Sequence, residues 1–157
     1  MPSDLQSNRT LKRLKEFAPQ AVEEAREFRG EVTIYVRPDM LIRACEFLRD
    51  EPSLSFRFLA DVTAVDLYPN EPRFEVVYHL LSLESAERLR LKVRAGGDNP
   101  SVDSLDPVFP SANAFEREVF DLFGIQFAGH PYLRRILMPE DWEGYPLRKD
   151  YPVEGYR

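Results

Sequence analysis

The sequence has 157 residues, 43% hydrophobic and 31% charged, which is one domain's worth of chain with material for a real core. Its net charge of −6 and pI of about 5.1 give no support for general nucleic-acid binding, and its single cysteine, Cys45, excludes an intrachain disulfide or a cysteine-ligated cluster built from this chain alone. No apolar run approaches the ~18 residues of a spanning helix, and the opening MPSDLQSNRT lacks the apolar region of a secretory signal, so a water-soluble chain that meets a membrane only through partners is expected.

Thr10 to Phe17 reads as a short amphipathic helix, with Leu11, Leu14 and Phe17 at spacing three, and Pro19 interrupts it. Ala21 to Phe28 is ambiguous. Its composition favours helix, yet Arg29-Gly30 looks like a tight turn into Glu31–Arg37, a strand with Val32, Ile34 and Val36 on one face. Pro38 suits a helix start, and Met40, Leu41, Ala44, Phe47 and Leu48 keep helical spacing to about Asp50. Phe56–Tyr68, Arg73–Leu83 and Arg88–Arg94 are apolar runs joined by PNEP and ESAE, which indicates an antiparallel meander. Gly96 to Pro110 is a loop on composition, and the one plausible boundary between a compact body (1–95) and a closing segment (112–157). Helices and strands are segregated, which favours a two-layer α+β domain.

Arg88, Arg90, Lys92 and Arg94 alternate with Leu89, Leu91 and Val93 and share one sheet face. They could meet a phosphate or an acidic partner, but a solvated face with cross-strand partners such as Glu75 is the plainer reading. His79, within VVYHLL, has no second ligand at metal spacing and reads as a hydrogen-bonded structural histidine. Asp61 and Asp66 are five apart, on opposite faces of a strand, so no paired-carboxylate site is indicated.

Asn113 to Phe123 is the stretch where geometry matters most. At ~100° per residue, Phe115, Val119, Phe120, Leu122 and Phe123 fill an apolar arc, while Arg117, Glu118 and Asp121 lie opposite, with Arg117 and Asp121 placed to pair. Glu116 falls inside the apolar arc, where an unpaired charge costs several kcal/mol. Three explanations compete: a capping box with Asn113 as N-cap, a buried or interface partner such as Arg134 or Arg135, or an acid–base role with a raised pKa. Gly124 suits the helix end, and Ile125 and Phe127 alternate as a short strand. From Gly129 the last 29 residues hold four prolines, three glycines and five aromatics with almost no period. Such a segment cannot build its own core but is too aromatic for a disordered linker. An extended segment laid along a surface follows, with Tyr132, Trp142, Tyr145 and Tyr151 as anchors.

The run EREVFDLFGIQFAGHPYLRRILMPEDWEGYPLRKDYP resembles the C subunit of bacterial respiratory complex I, the proton-translocating NADH:quinone oxidoreductase, and FRG at Phe28–Gly30, LADVTAVD at Leu59–Asp66 and RFEVVYHLLSL at Arg73–Leu83 extend the resemblance over most of the chain. Small departures fall at Phe115, Phe120, Leu122 and Tyr132, the last replacing a polar contact with an aromatic one. The resemblance implies an α+β fold with a mixed, largely antiparallel sheet in the order α-β-β-α-β-β-β, followed by a helix and a long extended tail. That order makes Ala21–Phe28 a strand. It implies a hydrophilic-arm member of the complex on the cytoplasmic side of the bacterial inner membrane, packed against other complex I subunits, chiefly the D subunit and then the B subunit. No cofactor or metal is expected on this chain; FMN, iron–sulfur clusters, NADH and quinone would belong to other subunits. No catalytic residue is assigned. Glu116, Arg117, Glu118, Asp121, His130, Arg134, Arg135, Trp142, Arg148, Lys149, Asp150 and Tyr151 are expected at the subunit interface. The alternatives are the equivalent subunit of a membrane-bound hydrogenase or ferredoxin-linked relative, and a free-standing enzyme using Glu116 or Asp121 as acid or base.

Overall fold

A computed structural model describes residues 4–156; positions 1–3 of the opening stretch and Arg157 lie outside the described residues. Helix α1 (Arg9–Phe17) is capped by Asn8, whose side chain accepts from the Leu11 N–H at 2.9 Å. Leu11 and Leu14 enter the core, while Phe17 stays half-exposed and stacks on Phe47 with centroids 4.3 Å apart.

Strand β1 (Val22–Phe28) and strand β2 (Glu31–Val36) form an antiparallel hairpin. Arg29 and Gly30 both take positive φ, 53° and 81°, as a two-residue turn with strand-like twist requires. The helical composition of β1 loses to tertiary pairing: Glu23 and Glu24 on this edge strand receive Arg94 at 3.0 and 2.7 Å.

Pro38–Met40 form a tight turn into helix α2 (Leu41–Asp50), as the proline suggests. The expected meander follows as β3 (Phe58–Asp66), β4 (Phe74–Ser82) and β5 (Glu87–Ala95). The sheet runs β1-β2-β5-β4-β3, antiparallel throughout except for the parallel β2–β5 pair, and is therefore mixed. Its inner residues, among them Ile34, Val36, Val76, Tyr78, Leu80, Leu91 and Val93, share one core with Leu14, Leu41, Cys45 and Leu48 of the helices.

The opposite sheet face carries the cation row. Arg90 pairs with Glu31 at 2.7 Å, Lys92 with Glu75 at 3.3 Å and Arg94 with the β1 glutamates, over the ring of Tyr35. These are the cross-strand pairs of a solvated face, each of small energetic value. His79 departs from expectation: no hydrogen bond from its ring is found among the described residues, and burial beside Arg90 holds its pKa below the ordinary value.

Gly96–Pro110 is not only loop. It contains strand β6 (Ser101–Asp103), parallel to strand β7 (Gln126–Ala128), which is the short strand expected around Ile125 and Phe127. A three-residue strand whose partner comes much later in the chain leaves no local periodicity, while Val102, Leu105, Val108 and Phe109 bury themselves in the common core. Between them lies helix α3 (Ala112–Phe123), packed against β3.

Candidate functional site

The site forms at the C-terminal end of α3, where the last segment of the chain crosses it. A helix leaves its final four carbonyls without intrahelical partners. Here each finds a donor. Gly124, at φ 76°, gives its N–H to Phe120 O at 2.8 Å. Arg135 Nη1 donates to Asp121 O at 2.9 Å, the Leu147 N–H to Leu122 O at 3.0 Å, and Arg148 Nε to Phe123 O at 2.6 Å. Two guanidinium groups thus sit at the negative end of the helix dipole. The closing segment, residues 129–156, is a strap fitted to that end.

Asp121 is the hub, and is 0% exposed. Its Oδ1 accepts Arg135 Nη1 at 2.8 Å, while Oδ2 accepts the N–H groups of Ile136, Leu137 and Met138 at 3.1, 2.7 and 2.9 Å. Burial opposes ionisation, but those donors outweigh it and hold the carboxyl below its usual range. Arg135 Nη2 also donates to Trp142 O and Gly144 O, folding the strap upon itself. The expected Arg117–Asp121 pair does not form. Arg117 instead donates to the carbonyls of Arg134 and Arg135 at 3.1 and 3.0 Å, because the strap occupies the helix face that spacing alone left to solvent.

A second hub was missed in the sequence. Asp66, at the end of β3, is buried and takes a bidentate pair of 2.8 Å bonds from Arg73, plus the N–H groups of Tyr68 and Lys149. Burial would raise this carboxyl, yet Arg73 and the two N–H groups bring it down to about 2. Arg73 also reaches Asp150 at 2.7 Å. The far end of the strap is thereby fastened to the sheet. An aspartate five residues from another gave no local sign of this; its strap partner, Lys149, is 83 positions away.

Glu116 fits neither structural explanation foreseen for it. The helix begins at Ala112, Asn113 donates to Asp106 instead of capping, and neither Arg134 nor Arg135 approaches Glu116. Its side chain is 0% exposed and reaches into the segment before α3, accepting Ser104 Oγ at 2.7 Å and the Leu105 N–H at 2.6 Å. No cation among the described residues offsets the burial, and the pKa is pushed up to about 7. Neither Glu116 nor Asp121 presents an oxygen to a substrate; the chain's own donors occupy both.

His130 accepts the Tyr132 N–H at Nδ1, which leaves Nε2–H to donate to Asn113 O at 3.0 Å and so fixes the neutral tautomer. Arg134 is exposed and bonds the Tyr132 hydroxyl. Of the four expected anchors, Tyr145 turns inward, over Gly124 and between Arg135 and Arg148, and Tyr151 packs edge-on with Tyr156. Tyr132 and Trp142 are exposed, as are Glu118, Lys149 and Asp150. Among the described residues no group of His, Cys, Asp and Glu is arranged to hold a metal ion. No helix among the described residues is long and apolar enough to cross a membrane.

Known proteins match this chain over most of its length. The chain is 54% identical to the C subunit of the NADH-quinone oxidoreductase of Roseiflexus sp. (strain RS-1), over 91% of this chain and 82% of that protein. It is 49% identical to the protein of the same name from Geobacter sulfurreducens, over 96% and 92%. Among solved structures, the trypsin-resistant fragment (1-134) of Nqo5 superposes with a TM-score of 0.65 at 30% identity, covering 79% of this chain and 99% of the fragment. A chain of the membrane-bound sulfane sulfur reductase, an archaeal respiratory membrane complex, superposes at 0.75 and 30% identity, covering 91% and 84%. The family model described as "Respiratory-chain NADH dehydrogenase, 30 Kd subunit" matches residues 34–157, running through the core and the strap alike. This chain belongs to that family.

Proposed function

We propose that this chain is a cofactor-free core component of the peripheral arm of an NADH:quinone oxidoreductase, supporting electron transfer from NADH to quinone and the coupled proton translocation without an activity of its own. In this reading FMN, the iron–sulfur clusters, NADH and quinone belong to other subunits. The chain packs chiefly against the D subunit and then the B subunit of the complex, peripherally on the cytoplasmic side of the bacterial inner membrane. The family match through residues 34–157, strap included, carries the reading. The occupied carboxylates of Glu116 and Asp121 support a structural role over a free-standing acid–base enzyme.

Affinity purification from native membranes with identification of the bound subunits tests this. The D and B subunits and the NADH-binding subunits should co-purify. A monodisperse chain recovered alone would overturn it. A second reading, the equivalent subunit of another membrane-bound respiratory complex, draws support from the likeness to the sulfane sulfur reductase chain. Recovery of a hydrogenase-like or ferredoxin-linked set in place of NADH-binding subunits would establish that reading instead.

A further inference from the structure

One member of the cation row on the outer sheet face is left over. Arg90, Lys92 and Arg94 each have an acidic partner, whereas Arg88 is exposed and makes no hydrogen bond or ion pair among the described residues. Glu31 lies within range of its charge but is bonded to Arg90. Arg88 stands in a cleft of about 790 Å³, at the end of the sheet where β2 and β5 begin and α1 starts beside them. The Arg9–Glu87 pair, at 2.8 Å, holds that helix start against β5. No residue of the strap lines this cleft.

The lining is rich in donors that lack an acceptor. Helix α1 has no acidic residue in its first turn, so its own side chains leave the positive end of the helix dipole uncompensated. Asn8 satisfies the N–H groups of Leu11 and Lys12 and leaves those of Arg9 and Thr10. Thr10 lines the cleft at 3% exposure, and its Oγ1 has no hydrogen-bond partner among the described residues. A bound acceptor would relieve that unsatisfied hydroxyl. His79, also without a hydrogen bond, stands between Asp61 and Arg90 in the strand register. Of the carboxylates in the cleft, Glu31 and Glu87 are neutralised by Arg90 and Arg9, which leaves Asp61 as the uncommitted one. Val32, Phe58 and Leu81 supply apolar wall.

We propose that this cleft binds a small organic oxyanion, a phosphomonoester or carboxylate carried on an apolar body. Arg88, the Thr10 hydroxyl and the start of α1 take the anionic group, and the body lies along Phe58 and Leu81. A helix N-terminus joined to a guanidinium suits such a group, and a cleft of mixed apolar and polar lining suits a small molecule. The site lies outside the strap and is independent of the chain's place in a respiratory complex.

The chain has two histidines, and they make the test direct. His79 lines the cleft, while His130 is held away from it by Asn113 and Tyr132. The ring resonances of both are followed in the full chain as phenyl phosphate, benzoate or inorganic phosphate is added. Saturable movement of His79, with His130 unmoved, is expected for phenyl phosphate or benzoate, and the tighter of the two assigns the oxyanion. No saturation by about 10 mM of either, or equal movement of both histidines, would overturn the site. Inorganic phosphate should bind at least about tenfold more weakly than the tighter organic anion, having no apolar body to bury; equal affinity would overturn the role of the apolar wall. Arg88→Ala should weaken binding at least about tenfold. Lys92→Ala, on the same face but paired with Glu75, should leave binding unchanged, and an equal loss in both variants would overturn the site in favour of diffuse charge. Thr10→Val removes a hydroxyl that has no partner, so the variant should keep at least the native thermal midpoint while binding weakens. Native affinity in that variant would overturn the part given to Thr10.

Discussion

Glu116 holds a loop with a carboxylate that faces no cation among the described residues. Its pKa is raised by burial from 4.5 to about 7, with the bonds from Ser104 and Leu105 only partly opposing the shift. A carboxyl whose folded pKa lies above its unfolded value binds more protons when folded. Its contribution to stability is therefore complete below about pH 4.5 and is lost as the pH rises through about 7. The full loss is on the order of 3 kcal/mol at 1.36 kcal/mol per pKa unit. Glu116→Gln keeps the shape, accepts from Leu105 and cannot ionise. It should flatten the fall in thermal midpoint between pH 5 and 8 and leave the variant the more stable protein at pH 8. Parallel pH profiles for the two proteins would refute this account. Helical angles correctly placed Glu116 in the apolar arc; its partners were illegible because Ser104 and Leu105 precede the helix, in a stretch whose composition says only loop.

The strap and α3 make one device at the scale of elements. Asp121 satisfies three consecutive strap N–H groups and one guanidinium, so its replacement by asparagine leaves Arg135 buried beside a neutral group. Breaking a buried pair from one side costs about 3 kcal/mol, which raises the opened population of the strap roughly a hundredfold. Asp121→Asn should therefore speed trypsin cleavage after Arg134 and Arg135 by a comparable factor. Asp66→Asn should do so after Arg148 and Lys149, since that hub holds the other end. An unchanged cleavage pattern in both variants would show that the hubs do not fasten the strap. Gly124 is the hinge between helix and strand. A Cβ there would stand 2.6 Å from Tyr145 and 2.7 Å from Arg148, on a backbone at φ 76° that disfavours any side chain. Gly124→Ala should cost at least about 2 kcal/mol, readable as a lower denaturation midpoint. A midpoint equal to the native value would mean that the strap retreats without cost. The glycine was legible as a helix stop; its second duty, admitting the tyrosine and arginine of a segment some twenty residues later, was not.

At the scale of the molecule, legibility followed contact range. The meander and the three α-helices among the described residues come from local periodicity and turn chemistry and appear where the pattern put them, whereas the first strand of the hairpin, left open by its helical composition, was a strand only on the family resemblance. The parallel β2–β5 contact, the β6–β7 pair and the two carboxylate hubs join distant residues and leave no periodic trace. The same division predicts how the protein opens. Leu14, Cys45, Leu48, Tyr78 and Leu91 lie in the one core beneath the sheet, whereas the strap outer residues touch mainly the end of α3. Elements with few buried apolar contacts open below the global free energy. Cys45 reports the core alone: its thiol is fully buried and pushed up to about 12 by that burial, so a disulfide reagent reaches it only when the core opens. In Asp121→Asn, strap proteolysis should accelerate while Cys45 modification in the absence of denaturant stays within about twofold of the native rate, as expected when opening is local. A matched rise in both rates would instead make strap and core a single cooperative unit. The strap would then be part of what holds the fold together, and freeing it for exchange between partners would be possible only by unfolding the chain.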